Sequence, residues 1–571
     1  MLQFFDFEVF KYDWLVVIIS PTDRTQKIIV NDPEELRDYY NKHKDDIWIG
    51  YNSRMYDQWV LKAILCGFNP KKINDWIIVD NKQGWMFSNL LRSYQLNNYD
   101  VMTSFHGLKQ LEGFMGNNIK ETSVDFNLDR KLTEEEIQET IKYCIHDVEQ
   151  TIQVFIERKS DFDAHLSLIK KFNLPLNYIS KTKAQLSATI LGGVKRSYDD
   201  EFDIEFLPCI RLNKYKEAMD WFKNPLNRNY DKEFELEVAG VKHSFGWGGI
   251  HGAKEKYHGT GLIIHVDVTS YYPSLMIEWN LGSRSATKWY LFKEIYDERV
   301  ALKKAGKKKE QAPLKIVLNG TYGILKDKNN PLYDPKKAND ICINGQLLLL
   351  DLVEHMESIK GFELIQSNTD GLIVKIPDTD EAFNQLDDVC YEWEQRTRMG
   401  LGFDFIKEIY QKDVNNYVFV QEDGKLETKG AYVKELNNLD YDLPIVNKAL
   451  VDYMINKTSI EVTINECEIY KDFQKIVKVS SKYHHGSHNN KILNDKTFRV
   501  FASNDSSDGM ILKHKSEVAK GEKFANTPES CFIENGNVND KKIPSKLNKQ
   551  WYIDLAYKRL NDFGIESGDM T

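Results

Sequence analysis

Acidic residues stand within or at the ends of several apolar stretches, where their carboxylates could hold divalent cations. The first stretch reads QFFDFEVF, in which Asp6 and Glu8 alternate with Phe5, Phe7 and Val9. This alternation predicts a β-strand that carries both carboxylates on one face. Neighbouring carboxylates repel each other unless a cation holds them. The pair is therefore a candidate metal site, and a solvent-facing strand edge is the alternative.

Two further segments could add carboxylates to this first group. IWIGYNSRMYDQWVL predicts a strand, a loop and then a helix that begins near Asp57. LTEEEIQETIKYCIHDVEQTIQVF predicts a long helix, because Thr133 and Glu136 form a capping box ahead of a periodic apolar stripe. Tyr143 and Asp147 lie one turn apart on this helix and share a face. Asp147 is either a half-exposed helix residue or a further acidic ligand.

A second group of candidate residues comes from two segments farther along the chain. GLIIHVDVTSYYPS predicts a buried strand that ends at Asp267 and is stopped by Tyr271, Tyr272 and Pro273. SNTDGLIVKI predicts a tight turn between two strands, with Asp370 in the turn. Each segment alone could be a plain strand and turn. Together they offer two carboxylates for a second metal site.

Polar and basic residues between these two segments line two predicted helices. PLKIVLNGTYG places Lys315, Asn319 and Tyr322 on one helix face, with Pro313 predicted to start the helix. The preceding stretch, YDERVALKKAG, predicts another helix with a cationic face made by Arg299 and Lys303, with Lys304 as an alternative to Lys303. Cations that face one way on two helices require a polyanion, and a nucleoside triphosphate is a natural one.

The first group matches a known pattern of motifs. Taken in order, D-x-E, N-x-x-x-Y-D and Y-x-x-x-D resemble the three exonuclease motifs of proofreading DNA polymerases. The resemblance spans about residues 1–160 and implies a ribonuclease-H-like domain with two divalent ions. The metal ligands that it implies are Asp6, Glu8, Asp57 and Asp147. It further implies that Tyr143 orients the attacking water, while Asn52 and Tyr56 touch the single strand.

The second group resembles family B DNA polymerases. DVTSYYPS is similar to motif A, KIVLNGTYG to motif B, and NTDG stands where motif C belongs. The resemblance implies that Asp267 and Asp370 bind two Mg²⁺ ions, with Mn²⁺ as an alternative and the Val268 carbonyl as a further ligand. The implied substrate-binding residues are Arg299, Lys303 and Lys315 for the phosphates, Asn319 and Tyr322 for the nascent base pair, and Tyr272 under the sugar.

The chain departs from the family pattern at several positions. Asn368 stands where motif C usually has its first aspartate. FGWGGIHGA is similar to the family's Y-x-G-G motif, with Gly246 in place of the tyrosine. VNNYVFV resembles the K-x-Y primer-binding motif, with Asn415 in place of lysine, Tyr417 retained and Lys429 available as a substitute charge. The histidine-rich stretch 480–490, SSKYHHGSHNN, predicts a polar loop that faces the duplex or is merely exposed, and zinc ligation by His484, His485 and His488 is the alternative.

Composition limits the classes of protein that the chain can belong to and the compartment in which it can work. The chain has 571 residues, 42% of them hydrophobic and 28% charged, and a formal net charge of −10. This argues against a protein that binds nucleic acid through overall positive charge alone. No apolar run reaches the ~20 residues of a membrane span, and we expect no membrane association. The 7 cysteines form no CxxC pair, which favours a reducing cytoplasm, the host's if a phage encodes the chain.

The resemblance, taken with these patterns, implies a mixed α/β fold and a template-directed DNA polymerase with 3′–5′ proofreading exonuclease. The compact length resembles polymerases of bacteriophages or mobile elements. The predicted parts are a ribonuclease-H-like exonuclease domain (1–165), then a right-hand polymerase made of palm (166–285 and 331–430), fingers (286–330) and thumb with the C-terminal region (431–571). The implied partners are primer–template DNA and dNTPs, and we expect a monomer with room for accessory replication proteins.

Two alternatives stay open at this point. The chain could be a 3′–5′ exonuclease with a decayed polymerase site, an interpretation that Asn368 favours. It could also be a non-catalytic factor that binds primer–template DNA, which no residue pattern favours.

Overall fold

The computed structural model describes residues 1–103 and 105–566, which form a mixed α/β fold with several sheets. The chain divides into two compact units. Unit 1 comprises residues 1–181, 436–445 and 465–552, and unit 2 comprises residues 182–435, 446–464 and the segment from 553 onward. The predicted mixed α/β class is confirmed. The division into exonuclease, palm, fingers and thumb stays a prediction.

Unit 1 begins with a sheet covered by helices. The strands are β1 (Leu2–Val9), β2 (Trp14–Ser20), β3 (Thr25–Val30), β4 (Ile47–Gly50) and β5 (Asn98–Asp100). The helices are α1 (Pro33–His43), α2 (Asp57–Leu65), α3 (Pro70–Ile78), α4 (Asn89–Ser93), α5 (Leu108–Phe114), α6 (Glu134–Glu157) and α7 (Lys159–Lys171). The strand order is β3-β2-β1-β4-β5, with β1 antiparallel to β2 and parallel to β4.

Strand β1 lies in the middle of this sheet and has apolar neighbours on both faces. Phe5 and Phe7 are buried, and the Phe5 ring packs edge-to-face on Trp48 at 5.4 Å. Side chains alternate along a strand, so Asp6 and Glu8 share one face as predicted. The apolar surroundings leave these carboxylates little water.

Helix α6 begins with the predicted capping box. Thr133 Oγ1 accepts a hydrogen bond from the Glu136 amide (3.2 Å), and Glu136 Oε2 accepts one from the Thr133 amide (2.8 Å). This reciprocal pair satisfies two amide groups that the first helical turn leaves free. The helix packs against β1 and β2 and buries Cys144 and Asp147. Asp147 is thus an interior residue rather than a half-exposed one.

Unit 2 contains a nine-stranded sheet and a group of helices. Its helices are α8 (Lys183–Ile190), α9 (Lys216–Lys223), α10 (Tyr271–Glu278), α11 (Tyr290–Lys304), α12 (Lys308–Ile324), α13 (Pro335–Met356), α14 (Asp380–Thr397), α15 (Pro444–Asn456) and α16 (Ile460–Glu466). Its strands are β6 (Glu233–Val238), β7 (Val241–Gly246), β8 (His251–Ala253), β9 (Tyr257–Val268), β10 (Glu363–Asn368), β11 (Gly371–Lys375), β12 (Leu401–Asp413), β13 (Asn416–Gln421) and β14 (Leu426–Lys429). The strand order is β14-β13-β12-β9-β11-β10-β8-β7-β6.

The predicted start of helix α12 is wrong. The helix begins at Lys308, and Pro313 lies inside it. The stretch KKEQA before the proline consists of strong helix formers, which extend the helix toward its N-terminus. Lys315, Asn319 and Tyr322 nevertheless remain on one helix face, because their spacing is unaffected.

The C-terminal part of unit 1 consists of two small sheets. Its strands are β15 (Lys475–Lys478), β16 (His485–His488), β17 (Lys491–Leu493), β18 (Thr497–Ala502), β19 (Ile511–His514), β20 (Glu522–Lys523) and β21 (Cys531–Ile533). They are ordered β15-β18-β21 and β17-β16-β19-β20.

The remaining elements belong to both units. The last helix is α17 (Lys549–Asp562), and short 3₁₀ turns cover Gly84–Met86, Leu176–Ser180, Pro225–Asn227 and Tyr470–Phe473.

The predicted loop at 480–490 is also wrong in part. Residues 485–488 form β16, which pairs with β19. The His485 ring stacks on its cross-strand partner His514 at 4.5 Å. A pairing partner that lies far away in sequence thus makes a strand from a polar stretch.

Arg499, on β18, has a fully buried side chain that joins separate segments of unit 1. Its guanidinium donates to the carbonyl oxygens of Gly113 (3.1 Å), Asn117 (2.7 Å) and Gly536 (2.6 Å). Its Nε donates to Gln474 Oε1 (2.9 Å). Burial lowers the pKa of Arg499 to about 10. The residue therefore ties the C-terminal sheets to the region around α5.

Arg499→Met is expected to lower the free energy of unfolding by about 3 kcal/mol or more, because each buried acceptor without a donor costs about 1–3 kcal/mol. Urea unfolding followed by tryptophan fluorescence measures the change. Lys542→Met replaces an exposed cation in the same part of unit 1, residues 465–552. Its free energy of unfolding should stay within about 0.5 kcal/mol of the wild-type value. Equal stability of Arg499→Met and the wild type would contradict this role.

Within residues 1–103 and 105–566, no helix combines the length and the apolar character that crossing a bilayer requires.

Candidate metal centres

The first candidate centre lies in unit 2, where β9 and β11 run side by side. The strands are antiparallel, and Asp267 on β9 is opposite Gly371 on β11. The Val268 amide donates to the Asp370 carbonyl (2.9 Å). Asp267 and Asp370 thus come from neighbouring strand ends, as the two segments predicted. The Val268 carbonyl belongs to the same strand end.

The electrostatics of this centre favour a bound cation. The pKa of Asp267 is raised to about 6, mainly by burial and also by the nearby charge of Asp370, while His265 opposes the shift. A cation held between the two carboxylates would offset both the burial and the repulsion. Carboxylate and carbonyl oxygens are the ligands that Mg²⁺ prefers. The residues present therefore fit a divalent-ion site.

Three segments meet in one pocket of about 300 Å³ at this centre. Its lining is Asp267, Val268, Ser270, Tyr271, Tyr272 and Pro273 from the first segment, Leu318, Asn319 and Tyr322 from α12, and Thr369 and Asp370 from the hairpin. The structure thus brings together residues from the three segments that sequence analysis assigned to motifs A, B and C. Three tyrosines and two carboxylates line one cavity.

Tyr272 has a defined position in this pocket. Its ring centroid lies 4.4 Å from that of Tyr322 and 5.7 Å from that of Tyr271. On the side of α13, a Cβ atom at Gly345 would lie 3.2 Å from the Tyr272 ring. Glycine therefore allows α13 to approach closely. The ring of Tyr272 is held between neighbours and forms a wall of the cavity.

The predicted phosphate-binding cations lie on α11 and α12. Arg299 donates from Nη1 to Ser270 Oγ and from Nε to Gln311 Oε1, each at 3.1 Å. Lys303 and Lys315 are exposed. The charge of Lys303 lowers the pKa of Asp267 against the effect of burial. Within the described part of the chain, all three cations lie outside the pocket lining.

Asn368 and Tyr417 occupy defined positions near this centre. Asn368 Oδ1 accepts a hydrogen bond from the amide of the next residue, Thr369 (2.9 Å), which fixes the Asn368 side chain against the backbone just before Asp370. An aspartate could accept the same bond. Tyr417 is buried on β13, opposite Lys429 of β14, whose Nζ lies 5.6 Å from the centroid of the Tyr417 ring.

The second candidate centre lies in unit 1 and contains the other carboxylates. Side-chain ligand atoms of Asp6, Glu8 and Cys144 all lie within 4.8 Å of one another. Burial raises the pKa of Asp6 well above its usual range, and the charges of Asp57, Glu8 and Asp147 raise it further. The pKa of Glu8 is raised in the same way, first by burial and then by Asp147 and Asp57. The four predicted ligands thus form one electrostatic group.

Asp57 and Asp147 are each held in place by a partner. Asp57 Oδ1 accepts a hydrogen bond from the Phe7 amide (3.2 Å), and burial raises the pKa of Asp57 to about 7. Asp147 forms an ion pair with Lys109, while burial raises its pKa to about 6. Tyr143 also hydrogen-bonds Asp147, and Lys109 Nζ lies 4.6 Å from the centroid of the Tyr143 ring.

Sequence analysis missed Lys109 and Cys144. Lys109 Nζ also donates to Glu112 Oε1 (3.1 Å), and ligand atoms of Glu112, His146 and Asp147 lie within 4.8 Å of one another. The ammonium group of Lys109 is thus the cation of this adjoining cluster. The Lys109–Glu112 spacing of three residues on a helix was the one available signal, and such pairs are common.

Asn52 and Tyr56 lie on the loop that leads into α2. Asn52 has a left-handed backbone (φ 60°), its amide donates to Asp100 Oδ1 (2.9 Å), and it is exposed. Tyr56 donates its hydroxyl to Asn74 Oδ1 (2.7 Å). Burial, and then the charge of Asp57, raises the pKa of Tyr56. Tyr56 thus borders the carboxylate group, and the contact of both residues with DNA stays a prediction.

Part of the chain is similar to known polymerases. It is 25% identical over 197 residues to DNA polymerase 1 of Sulfurisphaera ohwakuensis, which covers 34% of this chain and 21% of that protein. It is 23% identical over 194 residues to DNA polymerase 1 of Sulfolobus acidocaldarius, again with 34% and 21% covered. The match therefore spans about a fifth of the length of these relatives.

No family model matches the sequence. Among solved structures, the fold has a TM-score of 0.42 against the family B DNA polymerase from the hyperthermophilic archaeon Pyrobaculum calidifontis. That alignment is 14% identical and covers 100% of this chain and 78% of the other.

Proposed function

We propose that the chain is a template-directed DNA polymerase that adds dNTPs to a primer 3′ end. One observation carries the proposal: Asp267, Asp370, Asn319 and Tyr322 come from three distant segments and line the same pocket. Such a cavity offers carboxylates for divalent ions beside polar and aromatic groups for a nucleotide. The curated relatives named DNA polymerase 1 support the same class of reaction.

In this proposal Asp267 and Asp370 hold two Mg²⁺ ions, with the Val268 carbonyl as a further ligand and Mn²⁺ as a substitute. When bound, such ions activate the primer 3′-hydroxyl and neutralise the triphosphate oxygens. Arg299, Lys303 and Lys315 contact the triphosphate once it is bound. The positive charges of these three side chains stabilise the negative charge that develops on the leaving pyrophosphate.

The base pair and the sugar contact other residues of the same pocket. Asn319 and Tyr322 line the nascent base pair, and Tyr417, with Lys429 beside it, contacts the primer strand. Tyr272 forms the wall under the sugar. Its ring leaves no room for a 2′-hydroxyl, which favours deoxynucleotides.

We further propose a 3′–5′ proofreading exonuclease in unit 1. Asp6, Glu8, Asp57 and Asp147 would hold its two divalent ions, because four neighbouring carboxylates with little access to water are stabilised by positive charge. Tyr143, which hydrogen-bonds Asp147, orients the attacking water. On the approach to the site, Asn52 and Tyr56 contact the single strand.

The wider assignments follow from this function. The exonuclease domain is placed at 1–165, the palm at 166–285 and 331–430, the fingers at 286–330 and the thumb region at 431–571. Primer–template DNA and dNTPs are the partners, together with accessory replication proteins. We propose a monomer in the cytoplasm, of the compact type that bacteriophages or mobile elements encode.

The second candidate function is a 3′–5′ exonuclease with a decayed polymerase site. Asn368 favours it, because the family pattern has an aspartate there. Against it, Asn368 Oδ1 accepts from the Thr369 amide as an aspartate could, and both candidate metal ligands are retained.

A primer-extension assay on the purified full chain, with Mg²⁺ and with or without dNTPs, separates these functions. A polymerase lengthens the primer when dNTPs are present, whereas an exonuclease alone only shortens it. A factor that merely binds primer–template DNA leaves its length unchanged. Lengthening is the expected result, and shortening under both conditions would establish the second candidate instead.

Tyr272→Ala is expected to increase rNTP incorporation relative to dNTP incorporation by about tenfold or more, because it removes the ring that crowds the 2′ position. Single-nucleotide incorporation with each nucleotide type measures the ratio. Tyr272→Phe keeps the ring and should keep the selectivity. Tyr391→Ala, at an exposed tyrosine of unit 2, is the matched control. Unchanged selectivity in Tyr272→Ala would place the sugar discrimination elsewhere.

A further inference from the structure

Strand β8 brings His251 next to the turn that carries Asp370. In the antiparallel pairing of β8 with β10, Gly252 is opposite Ser367 and Ala253 is opposite Gln366. The same register places His251 opposite Asn368. Directly opposite residues of an antiparallel pair share a face, with Cβ atoms about 4.5–5.5 Å apart. His251 and Asn368 are therefore cross-strand neighbours.

Contacts in this region agree with that placement. Burial lowers the pKa of His251, and a side-chain interaction with Asn368 opposes that shift. A Cβ atom at Gly249 would lie 3.5 Å from both His251 Nε2 and Thr369 Oγ1. The His251 ring therefore lies near both Asn368 and Thr369, the two residues that precede Asp370.

A second histidine supports the same strand end. His243 Nε2 lies 2.8 Å from Ser367 Oγ, and His243 Nδ1 lies 2.8 Å from the Val241 carbonyl oxygen. A carbonyl oxygen only accepts, so Nδ1 donates and Nε2 accepts the Ser367 hydroxyl proton. The ring lies over Gly252, where a Cβ atom would approach it to 2.4 Å. Successive residues of β10 thus each contact a histidine.

The loop that precedes His251 is itself fixed to α13. Gln346 Nε2 donates to the Gly246 carbonyl (2.7 Å), and the Gly246 amide donates to Gln346 Oε1 (3.2 Å). Cys342 Sγ donates to the Gly248 carbonyl (2.7 Å). The backbone just before His251 is therefore held in place by α13. A residue that orients another side chain must itself be held in this way.

We propose that His251 is a positioning residue of the polymerase reaction: it holds the side chain of Asn368, which lies at the start of the turn that presents Asp370. The inference rests on the proposed polymerase function. An asparagine at this position can accept from the Thr369 amide and hydrogen-bond a neutral imidazole without adding a negative charge close to Asp370. His251 acts through Asn368 and not by contact with the reacting atoms.

His251→Ala is expected to lower kcat for single-nucleotide incorporation by about 10–100-fold, as the loss of residues that orient metal ligands commonly does. The KM for the dNTP should change little, because the nucleotide contacts remain. His251→Gln supplies another hydrogen-bond donor and should recover most of the rate. His258→Ala removes a histidine of β9 and serves as the matched control.

A double-mutant cycle with Asn368→Ala separates positioning from a general loss of structure. If His251 acts through Asn368, the double variant should be no slower than the slower single variant. Independent, multiplied losses or an unchanged kcat in His251→Ala would overturn the inference. His251→Gln keeps the test decisive if His251→Ala fails to fold. If the wild type itself does not extend primers, the proposed function fails and the inference falls with it.

Discussion

Asp370→Asn is expected to reduce primer extension by about 10³-fold or more, a rise of ~4 kcal/mol in the activation barrier. Asp267 and Asp370 are the two carboxylates of the pocket in unit 2. Loss of one negative charge weakens the binding of both cations, and the ions supply most of the charge stabilisation in phosphoryl transfer. The measurement is the single-turnover rate of dNTP incorporation on a primer–template.

Two companion variants make this result specific. Asp378→Asn changes an exposed carboxylate shortly after β11 and should extend primers like the wild type. Asn368→Asp should stay within about tenfold of the wild type, or ~1.4 kcal/mol, because aspartate can accept the same bond from Thr369. Near wild-type extension by Asp370→Asn would refute the metal assignment. Activity in Asn368→Asp with none in the wild type would favour the decayed polymerase.

The double change Asp6→Ala with Glu8→Ala is expected to abolish primer degradation and leave extension largely intact. These carboxylates belong to the group in unit 1, whereas Asp267 and Asp370 lie in unit 2. Removing two of four ligands should lower the degradation rate by about 10³-fold or more. Degradation of a labelled single strand with Mg²⁺ and without dNTPs measures it.

The matched control for this pair is Asp38→Ala with Glu149→Ala, which removes two exposed carboxylates of unit 1. That variant should degrade and extend primers at wild-type rates. A comparable loss of both activities in Asp6→Ala with Glu8→Ala would contradict the assignment of two separate centres.

Local sequence rules predicted the elements that carry the candidate residues. Alternation around Asp6 and Glu8 indicated β1, and the capping box at Thr133 located the start of α6. The turn at Asp370 lies between β10 and β11 as expected. These features depend on neighbours within a few residues, which the sequence displays directly.

Features that depend on distant segments were not predictable from local patterns. Lys109 meets Asp147 only after α5 packs against α6, and Cys144 meets Asp6 only after α6 packs on β1. His251 becomes a neighbour of Asn368 through strand pairing alone. The start of α12 was misplaced because Pro313 was given more weight than the helix-forming residues before it.

The most direct test of the central claim is template-dependent incorporation by the wild-type chain. A primer–template with one defined next base is incubated with Mg²⁺ and each dNTP separately. Our account predicts that the primer gains one nucleotide efficiently only with the dNTP complementary to the template base, and that EDTA stops the reaction. No addition with any dNTP, or equal addition with all four, would contradict a template-directed polymerase.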